Sequence, residues 1–125
     1  MKKHFLMGAV IATALLLSAC GEKKPLTPEQ QWQGYCTSIG NAARTILHDR
    51  QNGITHKEAA DYAAKLTDPT TKKFVAAQIE KVYAYPETQL REDRDALLNR
   101  FKQEATDECL ATPFDKDHLP DYKQF

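Results

Sequence analysis

The 125-residue sequence predicts an all-α fold, a small bundle of about four helices with one disulfide joining the first and last. Three observations carry the helical part. Apolar residues recur at spacings of three and four, which lines one face of a helix. Three segments open with helix-start signals, a capping residue followed by Pro at the first turn or by Glu or Gln three positions on. No segment alternates apolar and polar residues with β-branched enrichment, and the whole chain has five glycines, so strands and hairpins leave no signal.

The first helix is expected over residues 28–52. Thr27 is its N-cap, Pro28 fits the first turn and Gln30 takes the capping-box position. Trp32, Cys36, Ile39, Ala43, Ile46 and Leu47 form its apolar face, and Asn52-Gly53 stops it, with Gly53 suited to the left-handed position. Thr55-His56-Lys57-Glu58 is a second capping box, opening a short helix over 55–66 with Ala59, Ala60, Tyr62, Ala63 and Leu66. Asp68 caps and Pro69 starts a third helix over 69–84, whose apolar face is Phe74, Val75, Ile79, Val82 and Tyr83. Helices two and three are short enough to act as one kinked hairpin. Pro86 interrupts this run and drives Tyr85 extended. Glu87 suits a new N-terminus, and Leu90, Leu97, Leu98, Phe101, Ala105 and Cys109 give the last face, over 87–111. Thr112-Pro113 ends it, and the rest shows no periodicity.

The start of the chain is of another kind. Met1-Lys2-Lys3-His4 is basic, and Phe5 to Leu17 is apolar but for Gly8 and Thr13. That run is shorter than the roughly 20 residues needed to span a bilayer and reads as a secretory signal. Leu17-Ser18-Ala19-Cys20 resembles the lipobox of bacterial lipoprotein precursors. The resemblance implies that Cys20 carries a diacylglyceryl group, that the chain is cut before it, and that the new amino terminus is acylated. Gly21 in place of Asp resembles lipoproteins sent to the outer membrane in enteric-type sorting. The expected organisation is a signal peptide over 1–19, a lipidated tether over 20–26, a helical domain over 27–112 and a tail over 113–125. Each buried methylene contributes about 0.8 kcal/mol, and two or more acyl chains hold a protein stably.

With Cys20 lipidated on that resemblance, Cys36 and Cys109 remain. An even pair in an exported protein reads as a disulfide, since the periplasm is oxidising. Closing a loop of 73 residues contributes on the order of 4 kcal/mol by chain entropy. The bridge would set the first and last helices antiparallel, the first overhanging by roughly 9 Å. Trp32 lies on that overhang, and Phe114 and Leu119 are expected to fold back over it.

Charge and motifs narrow the function. Lys plus Arg number 17 and Asp plus Glu 17, interspersed, so a nucleic-acid footprint is absent. There is no Cys-x-x-Cys, no G-x-S-x-G, no phosphate loop and no H-E-x-x-H. His48-Asp49 are adjacent on a helix and point apart, which suits a solvated His near a helix C-terminus better than a base pair or metal site. Glu104, Asp107 and Glu108 read as a solvated acidic face, and Arg91 pairs with Asp95 along exposed helix. Tyr83, Tyr85 and Pro86 make an aromatic corner, a candidate interaction surface, although packing of at least one tyrosine into the bundle is the favoured expectation. The mature part also resembles small exported bacterial helical proteins, through Tyr35-Cys36, Arg50-Gln51-Asn52-Gly53, Ile79 to Pro86 with Val82-Tyr83, and Glu108-Cys109. That resemblance implies the helices and the disulfide and no activity.

The expectation is therefore a non-enzymatic lipoprotein on the periplasmic face of the outer membrane. It would have no metal and no cofactor, and act as a binding or accessory module for an envelope protein. The alternative is a carrier, with an apolar groove between helices that holds a lipid or small apolar ligand. Against that carrier stand Ala42, Ala43, Ala59, Ala60, Ala63, Ala64, Ala76 and Ala77, which favour close packing over a large cavity.

Overall fold

The structure, a computed structural model, describes residues 24–121. Leu17–Cys20 and the last four residues lie outside the described residues. Four α-helices follow in order: α1 Pro28–Gln51, α2 His56–Ala64, α3 Pro69–Ala84 and α4 Arg94–Leu110, with a single 3₁₀ turn over Glu87–Gln89 before the last. No strand occurs among the described residues.

Local chemistry fixes most of the boundaries. At α1, the Thr27 hydroxyl accepts from Gln30 N at 3.2 Å while Gln30 Oε1 accepts from Thr27 N at 3.0 Å. Thr55 and Glu58 repeat this reciprocal pair at α2, and Asp68 accepts from Thr71 N at 2.7 Å at α3. Such caps occupy backbone donors that the first helical turn leaves without partners. The end of α1 closes as a Schellman motif: Gly53 N donates to Arg50 O at 3.1 Å and Ile54 N to Asp49 O at 3.0 Å. Gly53 sits at φ 95°, a conformation that favours glycine.

The last helix departs from expectation. It begins at Arg94 rather than near Glu87, and Asp93 before it is left-handed at φ 43°. The cause is tertiary. Gln51, buried at the end of α1, donates from Nε2 to Leu90 O at 2.9 Å. Leu90 is buried beside Leu97, Leu98 and Phe101, so the chain pins Leu90 first and then turns into α4.

Helices α1 and α4 run antiparallel. The disulfide Cys36–Cys109 holds their Cα atoms 5.3 Å apart. Further along α1, Gly40 faces Lys102 and Thr106, and Leu47 clusters with Leu97, Leu98 and Phe101. Rising numbers on one helix meet falling numbers on the other. α3 packs against α1, and α2 packs on α3.

The core divides accordingly. One cluster gathers Trp32, Tyr35, Cys36, Ile39, Ala43, Ala105 and Cys109, with Phe74, Phe114 and Leu119 against it. Phe114 stacks on Trp32 at 5.0 Å between ring centres, and Tyr35 stacks at 5.2 Å. Lys116 pairs with Glu29, so the segment after α4 is tied over the start of α1. That contact holds the Glu29 carboxyl below its ordinary value. The Trp32 indole nitrogen is buried with no protein partner. The second cluster holds Leu47, Val82, Leu90, Leu97, Leu98 and Phe101. The third joins α2 to α3 through Ala63, Val75 and Ile79.

Candidate functional site

Between α1, α2 and α3 the surface opens into a groove of about 640 Å³. α1 supplies Asn41, Ala42, Thr45, Ile46 and Asp49, the turn after it supplies Ile54, α2 supplies Glu58, Ala59 and Tyr62, and α3 supplies Val75 and Ile79. Val75 and Ile79 are buried and form the floor with half-buried Ala42, Ile46 and Ala59. Tyr62 and Ile54 are 60% and 38% exposed, large apolar side chains left at the edge. Close packing through alanine holds where α2 meets α3, at Ala63. It does not hold between α1 and α2. α2 packs mainly on α3, and Ala42 and Ala59 are too short to fill the space between α1 and α2, so the expectation that the alanines argue against a large cavity is corrected here.

The walls are fixed by specific bonds. The second capping box sets the start of α2, and its backbone bond from Thr55 holds the Glu58 carboxyl below its ordinary value. His56 Nε2 lies 2.8 Å from Glu80 Oε1, tying α2 to α3. Tyr83 donates from its hydroxyl to Ile54 O at 2.6 Å, tying the α1–α2 turn to α3.

No family model, curated protein or solved structure matches this chain. Tyr83 and Tyr85, two of the three residues at the expected interaction corner, are engaged inside the molecule. Arg50 lies 5.3 Å from the Tyr83 ring centre, with His56 against the same ring at 5.1 Å. Tyr85 meets Phe101 edge-on at 5.6 Å, with Arg100 over it at 5.4 Å. Both tyrosines are half-buried and Pro86 is exposed. They staple α1, α3 and α4 together.

The remaining candidates separate. His48 Nδ1 lies 3.9 Å from Asp49 Oδ1, and both are substantially exposed. Glu108 takes Lys81 and, at 3.3 Å, Gln78 Nε2 from α3. Asp107 accepts from Gln103 at 2.8 Å, and Glu104 lies 3.6 Å from Arg100. The three carboxylates thus share no partner. Among the described residues no group of three His, Cys, Asp or Glu converges on a point that could hold a metal ion, and no helix is long and apolar enough to cross a membrane. Cys36 and Cys109, fully buried, form the disulfide. Cys20 lies outside the described residues.

An apolar groove between helices was expected only for the ligand-carrier alternative, and its place between α1, α2 and α3 was not read from the sequence. Its signal was present in part: Tyr62 and Ile54 are apolar residues near a polar turn, and α2 carries too few large side chains to cover its own span.

Proposed function

We propose that the protein is a lipid-anchored, non-enzymatic binding or accessory module on the periplasmic face of the outer membrane, and that its binding surface is the α1–α2–α3 groove. The groove carries the reading. It is the one place named above where large apolar side chains, Tyr62 and Ile54, stand exposed beside an apolar floor, and such surfaces mark interaction sites. The lipobox-like Leu17-Ser18-Ala19-Cys20 supports the anchor. The partner is an envelope protein.

Filling the groove tests this. Ala42→Leu with Ala59→Leu keeps helix propensity while occupying the floor. Chemical crosslinking of intact envelopes is expected to recover a specific protein with the native chain and to lose it with the filled one. Equal recovery from both removes the groove from the function. Intact-mass measurement of protein from its native host tests the anchor separately: an unmodified Cys20 sinks it.

A second reading has its own observation. A volume of about 640 Å³ falls within the range of small-molecule sites, about 300–1,000 Å³, which suits carriage of a lipid or small apolar ligand. Native mass spectrometry of protein extracted from the envelope separates the two, since a carrier leaves the membrane with a bound small molecule.

A further inference from the structure

We infer that the groove receives a short amphipathic helix of an envelope partner, with apolar side chains on the floor and a Lys or Arg against Asp49 and Glu58. This rests on the groove being the binding surface and adds what the partner must present. Charge is the first argument. The lining contains two carboxylates and no Lys or Arg. Among the described residues neither carboxylate forms an ion pair with Lys or Arg. Asp49 has only His48, at 3.9 Å, and Glu58 accepts from the Thr55 amide and hydroxyl at 2.8 and 3.0 Å. Like charge placed against such a pair is repelled and opposite charge is favoured, so an acidic or wholly neutral occupant leaves the edge unmatched.

Dimensions are the second argument. Along α1 the wall runs from Asn41 through Thr45 to Asp49, one polar edge repeating every four residues. That span is about 12 Å at 1.5 Å per residue, close to the roughly 10.5 Å between positions i and i+7 of a docked helix. Helices that lie in apolar grooves are read through anchors at that spacing. The exposed Tyr62 and Ile54 sit where such anchors would be covered.

The test uses the full chain in its own envelope. A photo-crosslinking p-benzoylphenylalanine replaces Tyr62, and in a control replaces Gln103 on α4. The background is either native or Asp49→Asn with Glu58→Gln. Asn preserves the shape at 49, and Gln preserves the capping box at 58; an oxidised disulfide reports that the variant folds. The expected result is a protein adduct from position 62 and not from 103. The mapped segment should carry apolar residues three or four apart with a Lys or Arg within one turn. The yield should fall about fivefold in the neutralised background, as loss of two part-exposed ion pairs implies. An undiminished yield, a mapped segment without a cation, or an adduct of lipid mass each overturns the inference. A protein adduct insensitive to the neutralisation overturns this inference and leaves the binding module standing. Absence of any protein adduct at 62 sinks both.

Discussion

Gly40 marks the closest approach of α1 to α4. A Cβ there would lie 2.0 Å from Thr106 Oγ1 and 2.7 Å from the Lys102 carbonyl oxygen. The hydroxyl can rotate away, but the carbonyl belongs to the backbone of α4, so the helices must separate. Gly40→Ala is expected to lose about 3 kcal/mol, the upper part of the range for overpacking, as a lower urea midpoint with unchanged slope. Gly53→Ala is the comparison. Nothing lies within 4 Å of a Cβ there, so only the positive φ is penalised, by about 1 kcal/mol. If the two variants lose the same stability, close approach is not what position 40 requires. Tyr35 adds a pH dependence at the same scale. Its hydroxyl meets Thr71 Oγ1 at 2.9 Å in the core, and burial pushes its phenol up to about 12 from 10. The folded state therefore holds the proton more tightly than the unfolded one. The stability this contributes is complete below pH 10 and drains away as pH rises towards 12. Phenolate absorbance should show one tyrosine titrating last, and Tyr35→Phe should remove that step and flatten the stability profile between pH 10 and 12.

At the scale of elements, the end of α1 acts as a clamp. Arg50 Nη1 donates to Val82 O, and to Tyr85 O at 2.7 Å, so a side chain from one helix caps the C-terminus of another. Gln51 holds Leu90 O next to it. Together they fix where α3 stops and where the chain re-enters the core. Arg50→Ala removes the side-chain donor from Tyr85 O and leaves Val82 O with only the Tyr85 amide, and should lose about 2 kcal/mol, the middle of the range for hydrogen bonds to a charged group. Amide exchange should quicken across residues 85–93 while the Trp32 end stays protected. Uniform quickening would mean that Arg50 supports the whole fold rather than this junction. The clamp also explains what was legible. Thr27, Thr55 and Asp68 act on neighbours three residues away, so the starts of α1, α2 and α3 lie within one or two residues of where their sequence patterns place them. The start of α4 is decided by Gln51 reaching 39 positions along the chain. Leu90 and Leu97 mimic two turns of continuous helix, although Asp93 breaks it. Nothing within Glu87–Asp93 announces that partner.

For the molecule as a whole, the helix-joining disulfide was readable because only Cys36 and Cys109 remain once Cys20 is assigned to lipid, and both fall on apolar faces. The groove was not, because an alanine helps two helices approach only when something else brings them together. α2 is anchored to α3 through Ala63, and its spacing from α1 is a property of three helices at once. The bridge has its own consequence. It closes a separation of 73 residues and ties the cluster containing Trp32 to the end of α4, while the cluster around Leu47 and Leu98 is held by packing and by the Arg50–Gln51 clamp. Both sulfurs lie in side chains that are 0% exposed, so thiolate attack must wait for opening. Dithiothreitol is expected to reduce the native protein slowly and much faster as urea is added, in step with unfolding. Cys36→Ala with Cys109→Ala should lower stability by about 2–5 kcal/mol, retain helical circular dichroism, and loosen the Trp32 end first. Trp32 fluorescence would then shift at lower urea than protection of the Leu47 and Leu98 amides is lost, whereas the native protein shows both together. Coincident transitions in the double variant would mean that the two clusters cooperate without the bridge, and that its role is confined to the unfolded chain.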